Sequence, residues 1–357
     1  MRIEEIDRNF KVPSVVTDED VEWISALDPR FSISGVYYSD EEERFIRLPR
    51  EVAARANDGV KNLSSYSTGG RIRFVSDSPY IAIRAVIVRK LPMQHMTIVN
   101  QNGFSIYSER GYHAMLGPSA EHLFKSESRV AYEGIKRFGK NKRSYTLYMP
   151  SYGEVCSLFI GLQKGSLLEA ARPYKNAGAP VAFYGSSITE GAHASRPCNA
   201  YTALLSARLD TDYYNFGFSG SAKGDLDIAE YICSLEISAL VIDYDHNAPD
   251  PDFLRKTHAP FFRYIREQKP SLPILLTTRP NFEHTPDAAE RRAIVRATYE
   301  SALSKGDKNV YFLDGESFYG RDERYLCTTD TTHPNDIGHE RMARAYEATL
   351  AGILDKP

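Results

Sequence analysis

The sequence predicts a two-domain protein in which a β-sandwich or jelly roll precedes an α/β domain built on a parallel, doubly wound sheet. Short runs with alternating polar and apolar residues fill residues 30–165, whereas apolar runs alternate with helical patterns from residue 181 onward. The length of 357 residues also favours two domains, because single cores rarely grow beyond about 250–300 residues. A linker-like segment at 171–180 separates the two patterns, so we predict domains at 1–170 and 171–357.

The first domain is predicted to consist mainly of β-strands. Residues 71–75 alternate polar and apolar side chains, and Ile81 and Ile83 share one side of the following strand. Turn signals such as Asp77–Pro79 separate these runs. The predicted strands are 71–75, 81–87, 96–99, 104–107, 145–149 and 155–162. A short helix is predicted over 49–57.

The second domain alternates strands with helices. Its apolar runs are 181–184, 213–216, 239–242, 274–277 and 310–313. Its helices are predicted at 199–209, 226–235, 252–267, 288–303 and 337–353. Short apolar runs of this kind are typical of parallel strands that are buried on both faces. Ligands bind outside the carboxyl ends of the strands in such sheets, so we expect the reactive residues at those ends.

Three residues that suit nucleophilic catalysis follow the predicted strands. Ser187 follows the first strand of this domain, and the loop after the last strand carries Asp330 and His333. A serine hydroxyl is a weak nucleophile at neutral pH and needs an adjacent base that is itself oriented. His333 can take the hydroxyl proton and return it to a leaving alcohol, while Asp330 can hold the imidazole and stabilise its charged form. We therefore predict Ser187, His333 and Asp330 as a catalytic triad.

An oxyanion hole is predicted from the same strand ends. The backbone N–H of Ser187 lies where a strand becomes a helix, which suits a developing negative charge. Gly220 lets the backbone approach a substrate closely, so its N–H is the second predicted donor. The side-chain amide of Asn247 is the third.

These segments resemble the conserved blocks of the SGNH (GDSL-like) hydrolases. The blocks are Gly185-Ser-Ser-Ile-Thr189, Asn215 to Gly220, the block with Asn247, and Asp330-Thr-Thr-His333-Pro. The resemblance covers residues 181 to about 355 and implies a flavodoxin-like, three-layer α/β/α SGNH hydrolase domain. The β-rich half resembles the accessory sandwich that precedes this domain in some bacterial members.

The sequence departs from the family pattern in two blocks. Ser186 stands where the family usually has Asp, so two serines are adjacent and chemistry alone leaves Ser186 open as the nucleophile. In the third block Asp245 replaces the usual Gly, and Ala248 follows Asn247 where an Asp is common. These changes bear on the position of Asn247 more than on its identity.

The predicted function is hydrolysis of short acyl esters, with acetyl foremost, on a polar alcohol such as a sugar. The partner is then a small-molecule or oligosaccharide ester, and no metal or organic cofactor is required. One alternative is an acyltransferase that uses the same triad to acylate a sugar or metabolite hydroxyl. A second is a carbohydrate-binding protein with a degenerate catalytic half. The loop residues His193, His246, Arg196 and Arg279 match no part of the family's core motif, and a solvated surface role suits them at least as well as a functional one.

Composition restricts the partners and the compartment. The formal net charge of −3 gives no electrostatic basis for binding nucleic acid or an acidic membrane. The four cysteines form no C-x-x-C pair, which favours a reduced cytoplasmic protein over a disulfide or zinc framework. The first 14 residues contain no apolar core of a secretory signal, and no run approaches the roughly 20 apolar residues of a membrane span. The composition is equally compatible with a monomer and a homo-oligomer.

Overall fold

Seventeen strands and nine α-helices are formed by residues 16–88, 93–118, 128–176, 179–280 and 286–355, which are the residues that the computed structural model describes. The strands are β1 (Val21–Ser25), β2 (Ser32–Ser34), β3 (Tyr37–Ser39), β4 (Arg44–Ile46), β5 (Arg71–Ser76), β6 (Tyr80–Val88), β7 (Phe104–Ser108), β8 (Gly111–Leu116), β9 (Arg129–Arg137), β10 (Arg143–Tyr148), β11 (Val155–Gln163), β12 (Leu168–Ala170), β13 (Val181–Gly185), β14 (Tyr213–Gly217), β15 (Ala239–Asp243), β16 (Ile274–Thr277) and β17 (Val310–Leu313). The helices are α1 (Arg50–Arg55), α2 (Asp58–Leu63), α3 (Ile98–Asn102), α4 (Ser187–Glu190), α5 (Tyr201–Leu209), α6 (Leu226–Ser234), α7 (Pro251–Gln268), α8 (Ala288–Ser304) and α9 (Asp336–Leu354).

The chain divides into two compact units, each built from segments that are separated in sequence. The first unit comprises Met1–Ile46, Tyr66–Arg172 and Arg196–Cys198, and the second comprises Arg47–Ser65, Pro173–Ser195 and Asn199–Pro357. We predicted that all of residues 1–170 belong to the first domain, whereas the structure places Arg47–Ser65 in the second unit. The reason is burial: Val52, Ala53 and Val60 on α1 and α2 belong to the same apolar core as Ile228 on α6.

The first unit is a sandwich of two antiparallel sheets. One sheet has the strand order β1-β11-β6-β9, and the other has the order β12-β5-β10-β7-β8, with β2 also paired to β5. Inward-facing residues of both sheets share one core, in which Ile83 and Ile160 of the first sheet belong with Phe74 and Leu147 of the second. This arrangement confirms the predicted β-sandwich.

One predicted strand of this unit is wrong. Residues 96–99 were assigned to a strand, but Ile98–Asn102 form helix α3. The Thr97 side chain accepts a hydrogen bond from the Asn100 N–H at 3.1 Å and so caps the helix start. The side-chain amide of Gln101 donates to the Met96 carbonyl at 2.8 Å, which ties the helix to the residue that precedes its cap. These polar bonds outweigh the β-propensity of Ile98 and Val99.

The second unit contains a five-stranded sheet in which every neighbouring pair is parallel. The strand order is β14-β13-β15-β16-β17, so the chain starts in the interior of the sheet and winds outward in both directions. All residues of β13 and β15 are buried, as their apolar sequences predict. The five strands and five main helices lie within about two residues of their predicted positions. The structure thus confirms a doubly wound α/β domain.

Helices cover both faces of this sheet. Successive residues of a strand point to opposite faces, and β13 illustrates the result. The Phe183 ring packs against Tyr201 of α5, with ring centroids 5.9 Å apart. The next ring, Tyr184, stacks at 4.7 Å on Phe261 of α7. On the Phe183 side, Tyr201 also stacks on Tyr346 of α9 at 5.2 Å. The domain therefore has three layers, α/β/α.

Two further expectations concern membrane contact and the N-terminus. Among the described residues, no helix combines the length and apolar character that crossing a bilayer requires. The segment 1–15, which contains the stretch without a signal-like apolar core, lies outside the described residues, as do residues 281–285 of the loop after β16.

Candidate active site

The two adjacent serines have different surroundings. Ser186 is fully buried at the start of α4, where its hydroxyl oxygen accepts a hydrogen bond from the Ile188 N–H at 3.1 Å. Its own N–H donates to the Asp243 carbonyl at 3.1 Å. Ser187 is only partly buried, and its Oγ lies 2.8 Å from Nε2 of His333. Both serines follow Gly185, where a Cβ would clash with the Asp243 carbonyl oxygen, so the close approach of the two backbones requires glycine.

Asp330 orients the ring of His333. Its Oδ2 lies 2.7 Å from the ring Nδ1, and its Oδ1 accepts the His333 backbone N–H at 2.7 Å. Partial burial works against ionisation of Asp330, but the backbone and ring hydrogen bonds of His333 lower its pKa to about 2. An ionised Asp330 holds the proton of the neutral imidazole on Nδ1, so Nε2 presents its lone pair to the Ser187 hydroxyl. The structure thus brings the three predicted residues into one hydrogen-bonded row.

The loop that carries Asp330 and His333 is closed at its base. Thr328 and Pro334 form an isolated antiparallel bridge, and the Thr329 N–H donates to the His333 carbonyl at 3.1 Å. Asn335 then caps α9 by accepting the Ile337 N–H at 3.0 Å. The histidine is therefore delivered by a tight turn at the start of the last helix.

The predicted oxyanion donors lie on neighbouring loops. Gly220 is exposed and has φ +65°, and a Cβ at this position would meet no atom within 4 Å. The side-chain amide of Asn247 donates one N–H to the Phe218 carbonyl at 3.0 Å, which ties it to the loop of Gly220. Its second amide N–H remains for another acceptor. Helix α4, which begins at Ser187, is only four residues long. The helix dipole that we predicted to act at the Ser187 N–H is therefore small.

A buried ion pair behind the site was not predicted from the sequence. Arg47 donates to Oε1 of Glu190 at 2.8 Å, and neither side chain is accessible to solvent. Arg47 also donates to the carbonyl oxygens of Asn215 and Gly217, at 3.1 and 2.6 Å. The other carboxylate oxygen of Glu190 accepts the N–H of Ser219 at 2.9 Å and is also bonded to its hydroxyl. Burial raises the pKa of Glu190, against the opposing effect of Arg47 and Ser219. The pair links the end of α4 to the loop of Gly220.

His193 lies against the histidine of the row. The two rings are parallel, with an angle of 5° between their planes and 4.8 Å between their centroids. The side chain of His193 is only 2% exposed, and its Nε2 lies 3.9 Å from Oδ2 of Asp330. The solvated surface role that the sequence left open for His193 is therefore wrong. No family block pointed to this residue.

Within the second unit, the described side chains that could together bind a cation lie in the third block. Asp243, Asp245 and His246 each place one donor atom within 4.8 Å of the others. The Asp245 carboxylate already accepts from His246 Nδ1 at 3.0 Å and from the Arg279 backbone N–H at 3.3 Å. Burial, followed by repulsion from Asp245, raises the pKa of Asp243 to about 8, which favours its neutral form. Internal bonding therefore accounts for much of this cluster, and catalysis without a metal stays a prediction.

Two arginines near the blocks have structural partners. The Arg196 guanidinium lies 3.6 Å from the centroid of the Tyr112 ring within the first unit. Arg279 is buried, and its N–H bonds Asp245 as described above. The solvated role that the sequence left open is wrong for Arg279 as well.

Family models match both halves of the chain. Residues 178–351 match the GDSL-like lipase/acylhydrolase family, and residues 21–168 match the N-terminal domain found in SGNH hydrolase-type esterases. A search of curated proteins gives no match.

Solved structures resemble most of the length of the chain. A protein from Bacteroides ovatus described as a GDSL-like lipase is 26% identical with a TM-score of 0.81, over 94% of this chain and 98% of that one. A salicylyl-acyltransferase of a tetracycline biosynthetic pathway is 20% identical with a TM-score of 0.75, over 94% and 99%. A family two carbohydrate esterase from Clostridium thermocellum, solved with cellohexaose, is 13% identical with a TM-score of 0.62, over 90% and 99%. The last two show a shared fold.

Proposed function

Because the chain belongs to the SGNH (GDSL-like) hydrolase superfamily, we propose that it hydrolyses short acyl esters of a polar alcohol through an acyl-enzyme on Ser187. The observation that carries the proposal is the row Ser187–His333–Asp330, with hydrogen-bond distances of 2.8 and 2.7 Å. A degenerate binding protein would have no need for a nucleophile, base and orienting carboxylate in contact.

Acylation begins with a proton transfer from the Ser187 hydroxyl to Nε2 of His333. The Oγ attacks the ester carbonyl carbon, and the carbonyl π electrons move onto oxygen to give a tetrahedral oxyanion. Asp330, ionised at neutral pH, stabilises the imidazolium that forms. The backbone N–H groups of Ser187 and Gly220 and the amide of Asn247 are the proposed donors to the oxyanion.

Collapse of this intermediate breaks the bond to the alcohol oxygen. The imidazolium returns its proton to that oxygen, the alcohol leaves, and the acyl group stays on Ser187 as an ester. A water molecule then repeats the sequence: His333 takes its proton, the hydroxide oxygen attacks the acyl carbon, and Ser187 leaves with the proton. The net reaction converts an ester and water into an acid and an alcohol.

The proposed acyl group is acetyl or similarly short, and the proposed alcohol is a sugar. The loop after α4, Gly191-Ala-His-Ala-Ser195, offers short or polar side chains, whereas each buried methylene of a long acyl chain needs apolar surface, at about 0.8 kcal/mol. The carbohydrate esterases that share the fold support a sugar alcohol.

A second candidate is acyl transfer to an alcohol other than water. The fold similarity to the salicylyl-acyltransferase supports this second candidate, since its TM-score is 0.75 against 0.62 for the Clostridium carbohydrate esterase. Both reactions share the acyl-enzyme and differ only in whether water or an alcohol attacks it.

One set of assays tests the proposal and separates the two candidates. We expect kcat/KM to fall from p-nitrophenyl acetate to butyrate to octanoate, and acetylated oligosaccharides to release acetate. Activity measured with added sugar alcohols distinguishes transfer, because a transferase forms new ester at the expense of free acid. A preference for octanoate contradicts the short acyl group, and dominant ester formation selects the transferase.

We also propose that the protein works in a reducing compartment, the cytoplasm being the simplest choice. Among the described residues the four cysteines form no disulfide, and Cys156, Cys198 and Cys327 are buried. Mass spectrometry of alkylated protein from cells tests this, and a native disulfide contradicts it.

A further inference from the structure

The imidazole ring of His193 stacks on the ring of His333, the proposed catalytic base. The rings of His193 and His333 are 5° from parallel at 4.8 Å between centroids, a separation typical of an offset stack. His193 is buried, whereas the His333 side chain is 22% exposed on a short loop. A buried ring therefore covers one face of a partly exposed one.

The loop that carries His193 is anchored to the last helix. Buried His339 on α9 donates from Nε2 to the Ala192 carbonyl at 2.9 Å, and its Nδ1 accepts the Tyr201 N–H at 3.3 Å. On the other side of His193, the N–H and hydroxyl of Ser195 donate to the Asp336 carboxylate at 2.8 and 2.6 Å. The residues on both sides of His193 are thus fixed to the helix that His333 precedes.

The same loop is also tied to the serine. The N–H groups of Gly191 and Ala192 both donate to the Ser187 carbonyl, at 3.1 and 2.9 Å. Between these anchors His193 has φ +62°, in the left-handed region that a residue with a side chain rarely adopts. Such strain persists only where surrounding bonds determine the conformation, and it is common at functional sites.

We propose that His193 is a positioning residue for the catalytic base: its ring stacks on His333 and keeps Nε2 aimed at the Ser187 hydroxyl. The inference rests on the proposed function, in which His333 moves the proton. Because Nε2 of His333 must face the Ser187 hydroxyl when the proton moves, loss of the stack should lower kcat more than it changes KM.

The test compares side chains matched for backbone strain. His193→Asn tolerates a positive φ but has no ring, so it separates the ring from the loop conformation. His193→Leu and His193→Phe share the cost of a positive φ and differ in aromaticity. With p-nitrophenyl acetate we expect Asn and Leu to lower kcat by about 3- to 10-fold with KM within about twofold, and Phe to retain most of kcat. The thermal midpoint of each variant serves as the control for folding.

A second readout does not depend on turnover. Diethyl pyrocarbonate modifies imidazole nitrogens, and peptide mass spectrometry reports the modification of His333 alone. We expect faster modification of His333 in His193→Asn than in the wild type, and wild-type behaviour in His193→Phe. Unchanged kcat and unchanged modification in His193→Asn, or a Phe variant as impaired as Leu, overturns the inference.

The proposed function fails separately from this inference. If Ser187→Ala hydrolyses esters as fast as the wild type, the acyl-enzyme is wrong, and the modification of His333 still decides whether the rings stack. If Ser187→Ala is inactive and His193→Asn matches the wild type in both readouts, the acyl-enzyme stands and the positioning role is wrong.

Discussion

Oγ of Ser187 lies 2.8 Å from Nε2 of His333. The chain segments that carry these two residues are nevertheless held in place by different bonds. On the serine side, Arg47 and Glu190 form a fully buried pair, and the bond between them spans 143 residues of sequence. On the histidine side, Asp330 bonds His333 three residues away, and their side chains are 36% and 22% exposed. One side is fixed by tertiary structure and the other by a local turn.

Because of this difference, substitutions on the two sides should affect stability and activity to different extents. A buried charge that loses its partner costs several kcal/mol of folding free energy, whereas an exposed pair contributes about 0–1 kcal/mol. Damage to the buried ion pair on the serine side should therefore lower the stability of the domain before it reveals a catalytic role. Damage on the histidine side should abolish catalysis in a folded protein.

The largest effect is expected at Ser187, whose hydroxyl faces the histidine side. Ser187→Ala should lower kcat by on the order of 10⁴–10⁶ with an unchanged thermal midpoint. The buried neighbour should behave in the opposite way: Ser186→Ala removes a helix cap, costs about 1 kcal/mol of stability and keeps most of the activity. Steady-state kinetics, thermal unfolding and labelling by a fluorophosphonate measure the two effects. Label on Ser186, with activity surviving in Ser187→Ala, would reverse the assignment.

The next effect is expected at the buried ion pair. Arg47→Met leaves Glu190 buried without its cation and should lower the free energy of unfolding by about 3–5 kcal/mol. The matched change on the histidine side is Asp330→Asn, for which we expect a loss of at most about 1 kcal/mol and a large loss of kcat. Urea unfolding of both variants gives the comparison.

The double variant Arg47→Met with Glu190→Leu removes both charges at once. It should recover part of the stability lost in Arg47→Met, since no unpaired buried charge remains. A single Arg47→Met variant as stable as the wild type would show that the pair does not hold the serine side.

The same division explains what the sequence could predict. The strands of the second unit were predictable because burial on both faces leaves continuous apolar runs, as in Val181–Gly185. Asp330 and His333 were predictable because their partnership lies within one turn of sequence. Local patterns and short motifs carry that much information.

Long-range partners left no such signal. Arg47 begins a segment that packs with the second unit although it precedes most of the first in sequence, and nothing in its neighbours points to Glu190, 143 residues away. His193 lies in a loop of small and polar residues, and its stack on His333 depends on anchors that α9 provides. Helix α3 was missed because the side chains of Thr97 and Gln101, rather than hydrophobic periodicity, decide it.

A comparison of two asparagines gives an intermediate effect. Asn247→Ala removes a proposed oxyanion donor and should lower kcat by about 10²–10³, with a smaller change in KM. Asn215 is buried instead, donating to the Thr189 carbonyl at 2.7 Å and accepting the Gly217 N–H at 2.9 Å. Asn215→Ala should therefore cost about 1–3 kcal/mol of stability. Kinetics and unfolding of both variants decide the roles, and full activity in Asn247→Ala would place the third donor elsewhere.

The smallest effect concerns stability in mild acid. Burial lowers the pKa values of His258 and His339 in the folded protein to about 4, against about 6.5 for an ordinary imidazole. The unfolded chain therefore binds more protons between these values, so stability is complete above about pH 6.5 and falls as the pH drops toward 4. By pH 5.5 each histidine should have cost about 1 kcal/mol. His258, bonded through Nδ1 to the Thr298 hydroxyl at 2.9 Å, lies away from the catalytic row, so His258→Gln should flatten the loss between pH 7 and pH 5.5 by that amount. Asp28→Asn should not change that slope, because the pKa of Asp28, lowered to about 2 mainly by its hydrogen bonds to Arg30, moves entirely below this window. Urea unfolding at half-unit pH steps measures both slopes, and an unaltered slope in His258→Gln would mean that its imidazole is not held neutral by burial.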